Sequence, residues 1–298
     1  MLITMAGASG FLGTALRRHF ESTGHAVTQL VRSEPTSPRQ VRWDPYRGEL
    51  DSGLLRESGA IINLAGAPVG HWPWTANYKR QILDSRVATT ATISTTIASL
   101  DKRPVLLNAS GINYYGDHDE VQPATEESQA GVGFLADVTR RWEAAAEPAA
   151  TADTRVVKMR TAVVLDKSGG ALKTMLLPFK LGVGGRFGNG RQYFPTISLH
   201  DYVAAVHRLM TDEALSGAFN LVAPVPATNG EFTQELGARL HRPTVLTVPA
   251  FALKKIAGDL SREFLGSVHA VPKRLLEAGF EFAHPTVGQQ LDAALAKR

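Results

Sequence analysis

The chain has 298 residues, 44% of them apolar and 20% charged, which excludes a disordered or low-complexity protein and supplies a large core. Lys and Arg number 32 against 28 Asp and Glu, without a basic run, so no nucleic-acid groove is expected. The absence of cysteine excludes disulfides, thiolate metal sites and a cysteine nucleophile.

Leu2-Ile3-Thr4-Met5-Ala6 reads as a strand that runs straight into glycines. Phe11 to Thr23 places Phe11, Leu12, Ala15, Leu16 and Phe20 at helical spacing, and Gly24 suits the turn that ends such a helix. Ala26 to Val31 is the next strand, which completes one strand–helix–strand unit. Such a crossover returns the chain to the same end of the sheet and makes the strands parallel. The alternation continues with a short strand at Gln40–Trp43, a buried strand at Ala60–Ala65 and a long helix from about Asn77 to Leu100. A strand at Val105–Ala109, a helix at Phe134–Ala149 and a sixth strand at Arg155–Met159 follow. The expected fold class is α/β, a Rossmann-type doubly wound parallel sheet. After Leu165 glycine clusters and shorter elements take over. Residues 1–165 are therefore expected to form a dinucleotide-binding domain, and 166–298 a smaller α/β lobe on the substrate side. No apolar stretch reaches 18 residues and the start lacks the pattern of a signal peptide. A cytoplasmic protein without membrane contact is expected.

The segment Gly7-Ala8-Ser9-Gly10-Phe11-Leu12-Gly13 sits between the first strand and the first helix. The first glycine allows a tight turn, the second lets backbone N–H groups approach a pyrophosphate, and the third allows close packing of the helix. The helix N-terminus adds positive potential for phosphates. Gly7, Ser9, Gly10, Phe11, Leu12 and Gly13 are thus candidate cofactor-binding residues. At the end of the second strand an acid would hold the ribose 2′-hydroxyl of NAD, and a basic residue the 2′-phosphate of NADP. This chain has Val31-Arg32-Ser33 there. Arg32 can fork two hydrogen bonds to a phosphate, so NADP(H) is the expected cofactor.

These residues resemble the extended and atypical branch of the short-chain dehydrogenase/reductase superfamily. The nearer likeness is to the epimerase family proteins, which are NAD-dependent epimerase/dehydratase-like with a C-terminal family-specific domain. The likeness rests on Gly7–Gly13, on Asn63-Leu64-Ala65-Gly66, on Ser85-Arg86 with Thr89, on Asn113-Tyr114-Tyr115-Gly116-Asp117, and on Arg141-Trp142-Glu143. Met159-Arg160-Thr161, His200-Asp201, Val248-Pro249 and Gly279-Phe280-Glu281-Phe282 extend it over nearly the whole chain. The resemblance implies that Leu64, Ala65 and Gly66 line the cofactor, that Arg86 approaches its phosphates, and that Val164 lies near the nicotinamide. Arg160 could be a ligand or a structural arginine under the sheet. Asp44 could meet the adenine or serve its own loop.

Members of that superfamily usually move the proton with a Tyr-x-x-x-Lys pair on one helix face. No Tyr-x-x-x-Lys occurs in this chain. Aligning on Glu143 puts Leu135 in the tyrosine slot and Thr139 in the lysine slot. Ser110 lies one residue from the usual serine position and could still orient a carbonyl. Tyr114 and Tyr115 could take the proton or could simply pack. Asp117, Glu126, Asp137 and, on the loop after the fourth strand, His71 with Trp72 and Trp74 are weaker candidates. No His and carboxylate set has metal-ligand spacing, so no metal is expected.

Two functional readings follow. One is an NADP-dependent oxidoreductase or epimerase with an atypical acid/base, acting on a small or nucleotide-linked substrate. The other is an NADP-binding regulator or scaffold with impaired catalysis. A homodimer through the long helix is a further expectation.

Overall fold

The structure, a computed structural model, describes residues 1–119, 121–151 and 154–296, so 297 and 298 of the expected second region lie outside it. In chain order its first half runs β1 (Leu2–Ala6), α1 (Phe11–Ser22), β2 (Ala26–Val31), β3 (Gln40–Arg42), α2 (Ser52–Glu57) and β4 (Ala60–Asn63). Then come α3 (Ala76–Ala98), β5 (Val105–Gly111), α4 (Phe134–Ala144) and β6 (Val156–Thr161). The second half holds β7 (Val163–Leu165), α5 (Gly170–Lys180), β8 (Gly185–Phe187), β9 (Thr196–Ser198), α6 (Leu199–Thr211) and β10 (Gly217–Leu221). It closes with α7 (Asn229–Leu240), β11 (Leu246–Val248), α8 (Ala250–Ala257), α9 (Ser261–Leu265), α10 (Lys273–Glu277) and α11 (Val287–Leu295).

The main sheet has the order β10-β6-β5-β4-β1-β2-β3, and every neighbouring pair is parallel. Consecutive strand residues face opposite layers. Ile62 and Leu107 join Leu16 and Phe20 of α1 and Tyr202 of α6 in one core. Ile61 and Leu106 join Leu55 of α2 and Ile93 and Ile97 of α3 in the other. From β1 the chain steps outward to β2 and β3, then returns to the far side of β1 as β4. Sheets of this kind bind ligands in the crevice outside the carboxyl ends of the strands where that reversal occurs.

Four details depart from the sequence expectation. β4 stops at Asn63, because the Asn63 side chain takes over the backbone: its Oδ1 accepts from Ala65 N. β5 continues to Gly111, so Ser110 is a strand residue. The fourth helix ends at Ala144, and Glu147–Ala149 forms a separate 3-10 turn around Pro148, which has no N–H for a helix ladder. The seventh strand of the sheet, β10, comes from beyond residue 165 and pairs along β6.

The rest of the second half has its own core, with Leu172 and Phe179 of α5 against Phe232 of α7 and Leu291 of α11. The segment around α9 then folds back over the carboxyl edge of the main sheet. Ser267 N donates to Asp117 Oδ1 at 2.8 Å, and Ala124 bridges to Ala270. Among the described residues no helix is long and apolar enough to cross a membrane.

Candidate functional site

The three glycines of the first loop do different work. Gly7 has φ +76°, and a Cβ there would lie 2.8 Å from the Leu64 backbone. Gly13 stands in the first turn of α1, where a Cβ would come within 2.2 Å of Gly7 O. The third glycine therefore packs helix against its own loop. At Gly10 a Cβ would meet nothing nearer than Gly7 O at 3.5 Å. Space in front of Gly10 is open. Gly10 is the N-cap of α1, and no side chain caps that end. Its open N–H groups and dipole face the space where a phosphate would sit.

This loop forms one wall of a crevice of about 340 Å³. Leu64, Arg86, Ser110 and Thr139 stand among the other walls. The volume is at the lower end of ordinary ligand pockets. A buried polar network fixes the wall between β4 and β5. Asn63 Nδ2 donates to Thr90 Oγ1 at 2.9 Å and to Asn108 Oδ1 at 2.7 Å. Thr90 Oγ1 also accepts from Trp142 Nε1 at 2.9 Å and donates to Asn108 Oδ1 at 3.1 Å. That uses the whole bonding capacity of the hydroxyl and leaves the cofactor-side loop one arrangement.

Arg86 reaches into the crevice from α3. Its Nη1 donates to Ala67 O and Ile82 O, both at 3.0 Å, and its guanidinium lies 4.9 Å from the Trp142 ring centre. Burial pushes its pKa down to about 10. Among the described residues no carboxylate pairs with it. A partly buried, fixed and unpaired guanidinium is a ready anion partner. Gly66 is the neighbour that makes room for it, since a Cβ there would sit 3.2 Å from Arg86 Cγ.

The helix positions that align with a Tyr-x-x-x-Lys pair hold other residues here. Leu135 and Thr139 both line the crevice, and the Thr139 hydroxyl is spent on Leu135 O of its own helix. Ser110 also lines it, with Oγ donating to Glu143 Oε1 at 2.6 Å. Glu143 in turn receives Arg160 in a two-pronged pair, Nε to Oε1 at 2.8 Å and Nη2 to Oε2 at 2.9 Å. Burial opposes the charge on Arg160, but the Glu143 carboxylate more than offsets it and the arginine's pKa is raised. Arg160 is therefore the structural arginine of the two readings.

Tyr115, a candidate proton donor by sequence, sits in the core at 2% exposure. Its hydroxyl donates to Asn220 Oδ1 at 2.7 Å and accepts from Arg160 at 2.9 Å. Burial pushes its pKa up to about 12. Tyr114 packs edge-on against it, with the Arg160 guanidinium 3.5 Å above the Tyr114 ring centre.

Other sequence candidates fall into place around this frame. Ser9 and Arg32 are exposed and stand outside the crevice walls, and Arg32 has no ion pair among the described residues. Ala65 and Gly66 follow the Asn63 turn, and Val164 is buried in β7 opposite Ile197, away from the crevice walls. Asp44 serves its own loop, accepting from Tyr46 N. Asp117 holds Ser267 N, Glu126 accepts Asn220 N, and Asp137 pairs with Arg141 at 2.9 Å on α4. His71 is exposed against Tyr78 and Trp72 is 54% exposed, whereas Trp74 is buried.

Trp74 lines a second, larger crevice of about 830 Å³ that adjoins the first at Asn113 and Leu135. Glu263 lies in its wall, and Asn113 Nδ2 donates to Glu263 Oε2 at 2.8 Å. Sequence reasoning missed this pair, because 150 residues separate its members. The fold also gathers His200, Asp201 and His284 within 4.8 Å, a convergence hidden in the linear spacing. There the Asp201 carboxylate already accepts the backbone N–H groups of Ala283 and His284.

The family model for the NAD dependent epimerase/dehydratase family matches residues 3–136, and that for a domain of unknown function, DUF1731, matches residues 248–294. An epimerase family protein of Mycobacterium leprae is 37% identical over 298 residues, 99% of this chain and 96% of that protein. The crystal structure of human epimerase family protein SDR39U1 (isoform 2) with NADPH matches with a TM-score of 0.89 and 30% identity over 99% of both chains. The crystal structure of the nucleoside-diphosphate sugar epimerase from Corynebacterium glutamicum matches with a TM-score of 0.82 and 30% identity, over 99% of this chain and 58% of that one. The chain belongs to the epimerase family proteins.

Proposed function

We propose that this protein is an NADP(H)-dependent oxidoreductase or epimerase of atypical mechanism, acting on a small or nucleotide-linked substrate. The observation that carries it is Arg86, fixed and without a carboxylate partner among the described residues, in a crevice also walled by the open glycine-loop end of α1. The human relative crystallised with NADPH supports the same cofactor.

In this reading residues 1–165 hold the dinucleotide and 166–298 supply the substrate side. Gly10 and the N–H groups behind it take the pyrophosphate, Arg86 adds charge, and Arg32 meets the 2′-phosphate at the end of β2. Leu64, Ala65 and Gly66 border the cofactor. When bound, the nicotinamide supplies or accepts a hydride. Ser110 lines the same crevice, and with its hydroxyl hydrogen held by Glu143 its oxygen is left to accept a hydrogen bond from a substrate hydroxyl. Tyr114 and Tyr115 pack around Arg160 and keep this support rigid. The larger crevice, about 830 Å³, has room for a nucleotide-linked substrate.

The test is a panel of ketones, aldehydes and nucleoside-diphosphate sugars with NADPH. Absorbance at 340 nm reports oxidation and mass spectrometry reports isomerised product. Turnover of one class supports the reading. Tight NADPH binding with neither oxidation nor isomerisation across the panel favours the regulator reading instead.

A further inference from the structure

The described acid/base positions leave a chemical gap. Leu135 and Thr139 occupy the usual helix positions, Tyr115 is buried, and the Ser110 hydroxyl is committed to Glu143. A hydride transfer to a carbonyl still needs a proton donor within hydrogen-bond reach of the carbonyl oxygen.

We infer that Glu263 is the general acid/base of this site, carried in by the C-terminal segment and set in place by Asn113. The inference rests on the oxidoreductase reading above. Asn113 lines the cofactor crevice and the larger crevice alike, at the boundary between them. Its amide holds Glu263 Oε2 at 2.8 Å, while Oε1 has no hydrogen-bond partner among the described residues. One oxygen is thus anchored and the other is open to the crevice.

The surroundings suit a carboxyl that carries a proton near neutral pH. Phe264 and Leu260 of the same segment pack with Trp74, Leu135 and Phe134 and dry the site. Among the described residues no cation pairs with Glu263. Lys79 is paired with Asp259, and Asp117 and Asp119 are bonded to Ser267. Arg191, Lys254 and Arg262 line the larger crevice with exposed side chains. Burial pushes the Glu263 carboxyl up to about 7, with the Asn113 hydrogen bond opposing the rise. Acids and bases work best with pKa values near the operating pH.

The substrate class is a carbonyl compound, or its alcohol in reverse. Glu263 gives its proton to the carbonyl oxygen as hydride from the reduced nicotinamide reaches the carbonyl carbon. The C=O π bond breaks, C–H and O–H bonds form, and an alcohol, a Glu263 carboxylate and oxidised nicotinamide remain. Water then reprotonates Glu263. Asn113 is a positioning residue that fixes the carboxyl plane.

The experiment uses the full chain with NADP⁺ and with NADPH, which differ in the charge of the nicotinamide. Glutamate side chains labelled at Cδ with ¹³C are titrated by NMR, and Glu263→Gln identifies the Glu263 signal. A Glu263 midpoint near neutrality, lower by about one pH unit or more with NADP⁺ than with NADPH, is expected from a facing positive charge. Asn113→Ala is expected to raise the midpoint, since it removes the bond that favours the carboxylate. With 9,10-phenanthrenequinone as carbonyl probe, Glu263→Gln is expected to lower kcat about 10²- to 10⁴-fold with NADPH affinity unchanged. A Glu263 midpoint indifferent to the nicotinamide's charge overturns the inference even if the quinone is not turned over. Wild-type turnover in Glu263→Gln also overturns it. Failure of NADPH to bind removes the oxidoreductase reading as well, so the two failures are distinguishable.

Discussion

The Ser110 hydroxyl donates to Glu143 Oε1 across 2.6 Å, at the point where β5 meets the crevice. Glu143 is bound to that serine and, through both oxygens, to the Arg160 guanidinium, and all three residues are buried. The carboxylate therefore joins α4, β5 and β6 where Ser110 lines the crevice. Breaking such a buried pair from one side leaves an uncompensated charge, typically at a cost of about 3–5 kcal/mol. Glu143→Gln and Arg160→Met are each expected to lower Tm by on the order of 6 °C or more. Ser110→Ala removes one hydrogen bond while the ion pair remains, at about 1–2 kcal/mol. Calorimetry of the three variants checks the order. An equal loss from Ser110→Ala and Glu143→Gln would show that the pair carries little.

The glycine loop separates folding from binding. Gly10→Ala introduces a Cβ that touches the protein only at 3.5 Å. It is expected to keep the wild-type Tm and to lose most of the NADPH-induced stabilisation. Gly13→Ala forces a Cβ to 2.2 Å from Gly7 O and must move helix or loop. It is expected to lower Tm without ligand. Paired thermal scans with and without NADPH distinguish the two.

Arg86→Met tests the unpaired guanidinium. Its charge is held in a desolvated place by two backbone carbonyls and the face of the Trp142 ring. Loss of a charge-assisted contact to phosphate costs about 1.5–3 kcal/mol, so NADPH affinity is expected to fall about 10- to 100-fold. The ligand-free Tm is expected to hold or rise, because the buried charge disappears. A large Tm loss with unchanged affinity would mark Arg86 as a purely structural residue.

His19 gives a pH signature away from the crevice. Its Nε2 meets His207 Nδ1 at 2.6 Å, and burial first, then the charges of His207 and His25, hold its pKa below the usual 6.5. The unfolded chain then binds more protons than the folded one as pH falls below about 6.5. Stability from this group is complete above that pH and is lost as pH falls through the folded value. Tm between pH 7 and pH 5 should fall less in His19→Asn than in the wild type. Parallel curves for the two proteins would rule out His19 as the source.

The parts legible in sequence are those whose physics is contiguous. Gly7 to Gly13, the strand before it and the helix after it stand in one run, so loop and fold class could be read together. Arg86 was reached only through a family resemblance, because nothing in its helix says which side faces a ligand. The Asn63–Asn108 and Asn113–Glu263 bonds join residues 45 and 150 apart, and neither leaves a local pattern. Tyr115 misled for the opposite reason. It has the right chemistry at the right strand end, but Asn220, on a strand 105 residues later, takes its hydroxyl into the core. The edge strand β10 was hidden by its shortness, five residues with a glycine at its start.

The central claim is a dinucleotide crevice selective for the 2′-phosphate, and its direct test is calorimetric titration of the wild-type chain and Arg32→Ser with NADPH and NADH. NADPH at about 100 times its Kd should also add roughly 2.7 kcal/mol of stability. The wild type is expected to bind NADPH at least about tenfold tighter than NADH, as one charge-assisted contact implies, and Arg32→Ser to lose that preference. Equal affinities in the wild type would contradict the role given to Arg32, and no binding of either would contradict the crevice itself.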